Sequence, residues 1–453
     1  MDILKIIPPI LTIIIALKTK KQLSSLLIGA VACCVIQYGT GFVGGLIDLM
    51  YGVGCSEDTV WYVLFVSFFG CLLGIWTNTG ATDALTMYLS RVATNRKRTL
   101  LISFLLSIIL CIDDLTSLMT RATMRPLYNK NKIPRGEASF IGQATSSTVC
   151  SLVPFGTWGV FYISVFAGFD EINALGSGMG LYMKVIPWTL FSWVLIVIAF
   201  LFVLGVIKPY GRMKRASQTA METGRLYSEA SEHLNTEDAN IEDIDSVKAK
   251  KLITGLLIPL ISYIVFVVLT GDSLLGVLVA VVMAIVLFLV LRLSSWTKLM
   301  EACMNGMADM VGMLVIIFGA YMLRDGLSLI GLADYVISIV EPFMIPAILP
   351  AITFIVLSVL GFLSSAGWGM SLPVLAIVVP LCSALGANMY MVLGAIVSGA
   401  AFTLSTCFYC DMTVFTASVF KIDTMEHSLG QLPYNLAAAG ITTVLFLIAG
   451  FVF

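Results

Sequence analysis

Long apolar stretches, separated by short polar ones, follow each other along almost the whole chain. A helix needs about 20 apolar residues to cross the hydrocarbon core of a bilayer. Two regions, 99–168 and 345–420, are apolar but repeatedly interrupted by Gly, Pro, Ser, Thr and Asp. The pattern predicts an all-α, polytopic membrane protein with some broken helices. The continuous apolar runs lie near residues 3–17, 22–38, 61–79, 185–207, 252–270, 273–291, 306–323 and 434–452.

The composition agrees with a membrane environment. Of 453 residues, 59% are hydrophobic and 12% are charged, and the mean hydropathy is +0.99. Soluble domains are about 45–50% apolar and about 25% charged, so a soluble core cannot bury this much apolar surface. A soluble enzyme, a nucleic-acid-binding protein and a disordered chain are therefore excluded. We expect membrane lipid, and no nucleic acid, as a partner.

Residues 208–251 differ from the rest of the chain. This stretch carries eight acidic and eight basic residues and few apolar ones. It predicts a solvated cytoplasmic linker between two halves, residues 1–207 and 252–453. The balanced charge favours a plain connector over a regulatory element.

The two halves resemble each other at an offset of 251 residues. Residues 80–83 (Gly-Ala-Thr-Asp) align with 331–334 (Gly-Leu-Ala-Asp), and the Asp pair at 113–114 aligns with the Ser pair at 364–365. The apolar runs of the first half also fall on those of the second. A shared spacing of this kind predicts an internal structural repeat.

Basic residues indicate how the halves are oriented. Cytoplasmic loops of membrane proteins are enriched in Lys and Arg. The segment equivalent to the basic stretch 91–98 is 342–349, which has no basic residue. Equivalent loops are therefore predicted on opposite faces, and the repeat is predicted to be inverted. The basic clusters predicted to be cytoplasmic lie near 18–21, 91–98, 121–135, 208–215, 248–251 and 292–298.

Two re-entrant hairpins follow from this orientation. Residues 99–127 have basic residues on both sides and are predicted to enter and leave from the cytoplasm, with the Asp pair at the tip. Their counterpart, 346–384, is predicted to enter from outside, with its tip at 364–369. The total is about ten transmembrane helices plus two hairpins. A model in which each hairpin arm is a full span remains open.

Acidic residues inside the interrupted regions carry the candidate chemistry. Adjacent carboxylates such as Asp113 and Asp114 are costly in a membrane unless they bind a cation or a proton, and carboxylate oxygens are hard ligands suited to Na⁺. Asp411 is the carboxylate of the second half. Whether Asp113 or Asp114 exchanges the proton stays open. The predicted ion- and proton-binding residues are Asp113, Asp114, Thr116, Ser117, Asp411 and Thr413.

A series of short motifs occurs in order along the chain. Together these motifs resemble the NhaC-type sodium–proton antiporter family of the ion transporter superfamily, over about residues 99–435. The resemblance implies an inverted-repeat fold with hairpins, a scaffold and an elevator-like moving transport domain, and a homodimer. The motifs are the Asp pair at 113–114 with Met-Arg-Pro at 124–126, Lys-Ile-Pro-Arg at 132–135, Leu-Val-Pro-Phe-Gly-Thr-Trp-Gly at 152–159, Ser-Ser-Ala-Gly-Trp-Gly at 364–369, Asp-Met-Thr at 411–413 and Gln-Leu-Pro-Tyr at 431–434.

The chain departs from the family pattern at three places. Gln143 stands where the family usually has an Asp, and Arg121 stands where a small residue is usual. Residues 407–410 (Cys-Phe-Tyr-Cys) replace a Ser-Pro-Ile-Ser segment. One anionic ligand is lost and a cation is added, so transport of an organic anion stays open beside cation exchange.

The helix breaks predict the lining of the site. Proline lacks a backbone N–H and disrupts a helix, so Pro154 frees carbonyl groups that can coordinate a cation. Glycines at 367 and 369 allow a sharp hairpin tip. Ser and Thr residues in a membrane helix are also common packing residues. The predicted lining residues are Gln143, Ser146, Ser147, Val153, Thr157, Trp158, Ser364, Ser365, Gly367, Trp368, Thr403, Ser405 and Thr406.

Two arginines, Arg121 and Arg324, are candidates for binding an anionic substrate. Neighbours on a helix do not face each other, so Arg324 and Asp325 are each expected to have a different partner or to reach the membrane surface. Structural pairing of Arg324 is the other interpretation. His427 is expected to be a solvated residue near a helix end.

The motifs of other function classes do not occur. A phosphate-binding loop and a nucleophile–base set are missing from the sequence, so neither an enzyme nor ATP-driven transport is expected. Cys407 and Cys410 lack a second ligand pair, so no transition-metal site is expected, and no cofactor beyond Na⁺ and H⁺ as transported or coupling ions.

We predict a multi-pass secondary active transporter of the plasma membrane that is driven by ion gradients. One hypothesis is Na⁺/H⁺ antiport by alternating access. The other is Na⁺- or H⁺-coupled transport or exchange of an organic anion or amino acid. The expected partners are a small ion or molecule and a second copy of the chain.

Overall fold

The structure is a computed structural model, and the predicted site residues Asp113, Thr116, Ser117 and Arg121 lie outside its described residues. The described part of the chain contains helices and turns and no strand. The predicted all-α class is therefore confirmed. The structure describes the chain except residues 1, 20, 90–91, 110–113, 115–117, 119–123, 155, 177, 236–245, 271 and 341–344.

The helices are joined by short connections. Short 3₁₀-helices extend or join the α-helices at Asp2–Ile6, Gly39–Gly41, Ile186–Trp188 and Glu229–Leu234. In chain order, the α-helices of the described residues are α1 Ile7–Thr19, α2 Gln22–Tyr38, α3 Phe42–Gly54, α4 Glu57–Asn78, α5 Ala81–Leu89, α6 Arg96–Ile109, α7 Arg125–Lys130, α8 Arg135–Ser151, α9 Thr157–Phe166, α10 Asp170–Asn173, α11 Gly178–Val185, α12 Leu190–Leu204, α13 Gly211–Thr223, α14 Ser246–Thr270, α15 Ser273–Val290, α16 Trp296–Leu329, α17 Leu332–Val340, α18 Leu349–Ser364, α19 Ser371–Leu385, α20 Met389–Thr406, α21 Asp411–Phe420 and α22 Thr424–Val452.

Six helical segments of the described residues are long and apolar enough to cross a membrane. A seventh is added if the pair Gly178–Trp188 and Leu190–Leu204, bent by 57°, forms one span. The chain is therefore a multi-pass membrane protein, while the number of ten spans and two hairpins stays a prediction. The six segments are Leu23–Gly54, Thr59–Asn78, Val247–Val267, Trp296–Leu329, Met389–Thr406 and Thr424–Val452.

The outer face of α15 shows how these helices meet the membrane. Val282, Val286 and Val290 are 54%, 48% and 72% exposed. Residues four apart lie on one face of a helix, so these valines form a continuous apolar stripe. Such a surface is unfavourable in water and favourable in lipid.

The helices pack in two groups. The first group consists of α1–α4 and α14–α16, in which α4 packs along α16 and α14 packs along α15. The second group is centred on α20, which packs against α8, α12, α18 and α22, and it includes α6, α9, α19 and α21. Among the described residues, the main contact between the groups joins α16 to α21. The rings of Phe69 and Phe415, 5.5 Å apart, lie on this boundary.

Glycines let α4 and α16 touch backbone to backbone. A Cβ atom built on Gly306 would overlap the carbonyl oxygen of Gly70, and one built on Gly70 would lie 2.5 Å from the carbonyl oxygen of Gly306. One built on Gly74 would overlap the carbonyl oxygen of Ala302. Small residues permit close approach of membrane helices. This crossing fixes the position of Tyr62 on α4 relative to Arg324 on α16.

Helix ends in the two halves recur at the interval found in the sequence. α1 ends at Thr19 and α14 ends at Thr270, which is 251 residues later. α4 ends at Asn78 and α16 ends at Leu329, again 251 residues later. A break at 152–156 separates α8 from α9, and a break at 407–410 separates α20 from α21. Whether the two halves are inverted relative to each other stays a prediction.

The charged linker is partly folded. α13 buries Met213 and Ala220, which are seven residues apart and therefore lie on the same face of the helix. Ser217 Oγ donates a hydrogen bond to Glu137, and Ser231 Oγ donates one to Glu426 Oε2 at 2.5 Å. The prediction of a plain solvated connector is wrong for residues 211–235, because a small apolar face was hidden within a highly charged composition.

Candidate functional site

The first helix break lies between α8 and α9. Tyr182 OH donates a hydrogen bond to the carbonyl oxygen of Ser151, the last residue of α8, at 2.7 Å. A Cβ atom on Gly159 would lie 2.7 Å from the carbonyl oxygen of Pro154, so only glycine fits the first turn of α9. The Thr157 hydroxyl lies 3.4 Å from Cys150 Sγ. The predicted break at Pro154 is present and is closed by side chains on both sides.

A carboxylate approaches the start of α9 from another segment. Trp158 Nε1 donates a hydrogen bond to Asp114 Oδ2 at 2.7 Å. Asp114 is 5% exposed, and a buried carboxylate requires hydrogen-bond donors or cations around it. The structure thus joins two predicted site residues that are 44 positions apart in the sequence.

The second break lies between α20 and α21 and contacts the turn that follows α18. Tyr409 OH donates hydrogen bonds to the carbonyl oxygens of Phe362 and Leu363, both at 3.3 Å. Asp411 Oδ1 accepts hydrogen bonds from the Met412 backbone N–H at 2.7 Å and from Cys410 Sγ at 3.0 Å. Asp411 is therefore held at the positive N-terminal end of α21, where a negative charge is favoured, and it stays partly exposed.

Side chains from the first helix group meet Asp411 across the boundary. The Tyr62 hydroxyl on α4 lies beside the Asp411 carboxylate, and Asp114 and Tyr321 are within electrostatic range of Tyr62. Arg324 is within electrostatic range of Asp411. The carboxylates of the two halves are thus brought toward one tyrosine.

The aromatic residues next to Arg324 were missed by sequence reasoning. The rings of Tyr62 and Tyr321 are 6.2 Å apart, edge to face. Arg324 Cζ lies 4.3 Å from the centroid of the Tyr321 ring, a cation–π contact. A tyrosine within an apolar run has no periodic signal of its own, so only the fold identifies these two.

The expectation for Arg324 and Asp325 was wrong. Arg324 Nε donates to Asp325 Oδ1 at 2.7 Å, although the two residues are neighbours on α16. The arginine side chain is long enough to bend back to the adjacent carboxylate, which a rule based on Cβ directions does not include. Arg324 is 15% exposed and so keeps this pair mostly away from solvent.

A buried polar network lies at the C-terminal end of α20. Gln143 Nε2 donates to the Leu404 carbonyl oxygen at 2.6 Å and to Thr413 Oγ1 at 2.7 Å. Gln143 Oε1 accepts from Gln431 Nε2 at 3.0 Å and is hydrogen-bonded to His427 Nε2. The network joins α8, α20, α21 and α22.

His427 belongs to this network and is not a solvated residue. Its Nδ1 lies 2.9 Å from Ser139 Oγ, and the residue is 1% exposed. The solvated expectation was wrong because His427 sits one turn into α22 on the face toward α8. His427, Gln431 and Asn435 recur every four residues, and that spacing was the signal that could have found them.

Several predicted lining hydroxyls are bonded to their own helices. Ser146 Oγ donates to the Gln143 carbonyl at 3.2 Å, Ser364 Oγ to that of Leu360 at 2.7 Å, and Thr403 Oγ1 to that of Gly399 at 3.1 Å. These three behave as packing residues in the structure. The hydroxyls of Ser147, Ser405 and Thr406 are buried and have no hydrogen-bond partner.

The turn after α18 forms the predicted tip. Ser365 has φ of 60°, and a Cβ atom on Gly367 would lie 2.8 Å from the Ala400 carbonyl oxygen, so the tip packs directly on α20. The Trp368 ring lies 5.8 Å from that of Phe161, which in turn lies 5.9 Å from that of Trp158. Aromatic contacts therefore join this tip to the first helix break. Val153, the remaining predicted lining residue, lies in that break and accepts from the Gly156 N–H at 3.0 Å.

Comparison with known proteins identifies the family. A model of the Na⁺/H⁺ antiporter family matches residues 149–451.

The chain belongs to the Na⁺/H⁺ antiporter family.

The resemblance found in the sequence motifs is thereby confirmed, and the family match includes the second helix break and the α22 residues of the polar network. The protein is a secondary transporter.

Other relatives extend the comparison. An uncharacterised protein of Haemophilus influenzae is 22% identical over 99% of this chain and 91% of its own length. The malate-2H⁺/Na⁺-lactate antiporter of Bacillus subtilis is 30% identical over 111 residues, 24% of each chain. The YdaH transporter of Alcanivorax borkumensis covers 98% of both chains at 16% identity with a TM-score of 0.41, a score too low to establish a shared fold.

Proposed function

We propose that the protein exchanges Na⁺ for H⁺ by alternating access, with Asp114 and Asp411 as the carboxylates that take the cation or the proton. The observation that carries the proposal is the approach of both carboxylates to Tyr62, on the boundary between the two helix groups. Family membership supports the choice of ions.

The chemistry of the two sites fits ion exchange. A carboxylate in an apolar surrounding is stabilised either by a bound cation or by protonation, so Na⁺ and H⁺ exclude each other at the same oxygen atoms. Asp411 is partly exposed and keeps its position through the Met412 N–H. An ion can therefore reach it without rearrangement of the helix start.

The two helix groups supply a physical basis for alternating access. We propose that the first group is a scaffold and the second a transport domain that moves past it in an elevator-like manner. The boundary at α16 and α21 is crossed by few contacts, one being the ion pair of Lys421 Nζ with Asp309 Oδ2 at 3.1 Å. The inverted repeat, the two hairpins, the homodimer, the plasma membrane and the cytoplasmic basic loops belong to the same proposal.

A second candidate function has one specific observation in its favour. Arg324 stacks on Tyr321 close to Asp411, and a guanidinium group is well suited to bind a carboxylate of a substrate. Coupled transport of an organic anion or amino acid would use it. The short match to an antiporter of malate and lactate agrees with this alternative.

Transport in proteoliposomes that contain a pH-sensitive dye tests both. A Na⁺ pulse alone is expected to move protons, and Asp114→Asn and Asp411→Asn are each expected to abolish the signal. If no proton moves until a pool of carboxylates and amino acids is added, Na⁺/H⁺ exchange as the primary function is wrong. Arg324→Gln would then be expected to abolish the substrate-dependent signal.

A further inference from the structure

The carbonyl oxygen of Ser405 is saturated by side-chain donors. It accepts a hydrogen bond from Gln431 Nε2 at 2.9 Å and another from Asn435 Nδ2. Gln431 and Asn435 are one turn apart on α22, and neither is more than 1% exposed. A carbonyl oxygen has two lone pairs, so both are used here.

This contact forces the orientation of both amides. A carbonyl oxygen only accepts, so the N–H₂ group of each amide must face Ser405, and each amide oxygen must face away. Gln431 Oε1 and Asn435 Oδ1 are buried and have no hydrogen-bond partner. Turning either amide over would place two oxygen atoms against each other and cannot relieve this.

Three hydroxyl oxygens share the same condition. Ser405 Oγ and Thr406 Oγ1 on the last turn of α20, and Ser147 Oγ on α8, are buried without a partner. Ser147 is one turn along α8 from Gln143, which contacts the Leu404 carbonyl. The helices α8, α20 and α22 all pack against one another. Unpartnered buried oxygens on three contacting helices call for a ligand.

We propose that Ser147, Ser405, Thr406, Gln431 and Asn435 bind one Na⁺ through neutral oxygens, in a site separate from Asp114 and Asp411. Hydroxyl and amide oxygens are hard ligands, which suit Na⁺. The negative C-terminal end of α20 favours a cation there without any carboxylate. A cation at the amide oxygens also strengthens the N–H bonds to Ser405. The proposal rests on the proposed Na⁺ coupling and adds a second ion site to it.

Thermal unfolding of the purified full-length protein tests the site. Na⁺ is compared with choline and with K⁺ at equal ionic strength, and Na⁺ is expected to raise the Tm. Ser405→Ala and Thr406→Val each remove one oxygen that has no partner. We expect these variants to keep their Tm in choline and to need about tenfold more Na⁺ for half the effect, as the loss of one ligand implies.

A matched control is Ser428→Ala on α22, whose hydroxyl already bonds to the Thr424 carbonyl at 2.7 Å. Its Na⁺ response is expected to equal that of the wild type. Asp411→Asn is expected to lose proton exchange and to keep the Na⁺-dependent rise in Tm, which separates the neutral site from the carboxylate.

Distinct outcomes overturn the two proposals. If the wild type exchanges Na⁺ for H⁺ but Ser405→Ala and Thr406→Val leave its Na⁺ response unchanged, or lower the Tm in choline, the neutral site is wrong and the proposed function stands. An equal response to K⁺ also overturns a Na⁺ site. If Na⁺ neither raises the wild-type Tm nor moves protons, both proposals fail.

Discussion

The two helix breaks use the same local device with different partners. At the second break the carboxylate belongs to the helix that starts there, since Asp411 is the first residue of α21 and binds the Met412 N–H. At the first break the carboxylate comes from elsewhere, since Trp158 on α9 holds Asp114. The acidic group is thus built into one break and delivered to the other, so only the first depends on the position of a separate segment.

The carbonyl ends of the breaks differ in the same sense. The Ser151 carbonyl at the first break accepts from Tyr182. Leu404 and Ser405 at the second accept from three side-chain amides on two other helices. The second break is therefore held by a network and the first by a single contact, and the predictions below test how far this difference extends.

The largest effect is expected for Asp411→Asn. An amide neither exchanges a proton nor neutralises a cation, so Na⁺-driven proton flux is expected to fall to the background of empty liposomes. Asp272→Asn is a control, because Asp272 caps α15 away from the site and Asn caps a helix as well as Asp. Flux retained in Asp411→Asn and lost in Asp114→Asn would assign exchange to the first break alone.

Gln143→Leu is expected to destabilise the protein by about 3 kcal/mol, because it leaves the Leu404 carbonyl, Thr413 and His427 without a buried partner. Thermal unfolding of the purified protein measures the change. Ser146→Ala on the same helix, whose hydroxyl bonds only to the Gln143 carbonyl at 3.2 Å, is expected to change the Tm little. Equal effects of the two variants would contradict a network that holds the break.

Trp158→Phe is expected to lower the exchange rate about tenfold, since it removes a hydrogen bond to a charged group. It keeps an aromatic ring next to Phe161 and so leaves the packing largely unchanged. The rate in proteoliposomes is compared with that of Trp193→Phe, whose Nε1 donates to the Ile186 carbonyl at 3.1 Å outside the site. An unchanged rate in Trp158→Phe would show that Asp114 is positioned without the indole.

The smallest effect is expected for Tyr182→Phe. It removes one hydrogen bond to the Ser151 carbonyl and should cost about 1 kcal/mol of stability, visible as a modest decrease in Tm. Tyr390→Phe, which loses a longer contact of 3.4 Å to the Leu175 carbonyl, should change the Tm less. If Tyr182→Phe costs as much as Gln143→Leu, the proposed difference between the breaks disappears.

Sequence reasoning located the features that stand out against an apolar background. Asp411 and Asp114 were found because carboxylates are rare in such segments, and the break at Pro154 because proline interrupts a helix. The boundaries of α18 and α19 follow from the same reasoning, since small residues at 364–369 mark a turn.

The partners of these residues were not readable from the sequence. Tyr62 contacts Asp411 from a segment 349 positions earlier, and nothing in the run around it distinguishes this tyrosine from a core residue. Gln143 was singled out as a departure from a family pattern, yet its contacts with His427 depend on packing between α8 and α22. The hidden face of α13 shows the converse, since composition alone masked a folded segment.

The crossing of α4 and α16 has a further consequence. With no side chain between the backbones at Gly70 and Gly306, a change of rotamer cannot alter the separation of the two helices. The crossing is therefore a fixed spacer of zero adjustable length. Any displacement forced on it must pass along the backbones, and would reach Tyr62 on one helix and Arg324 on the other at the same time.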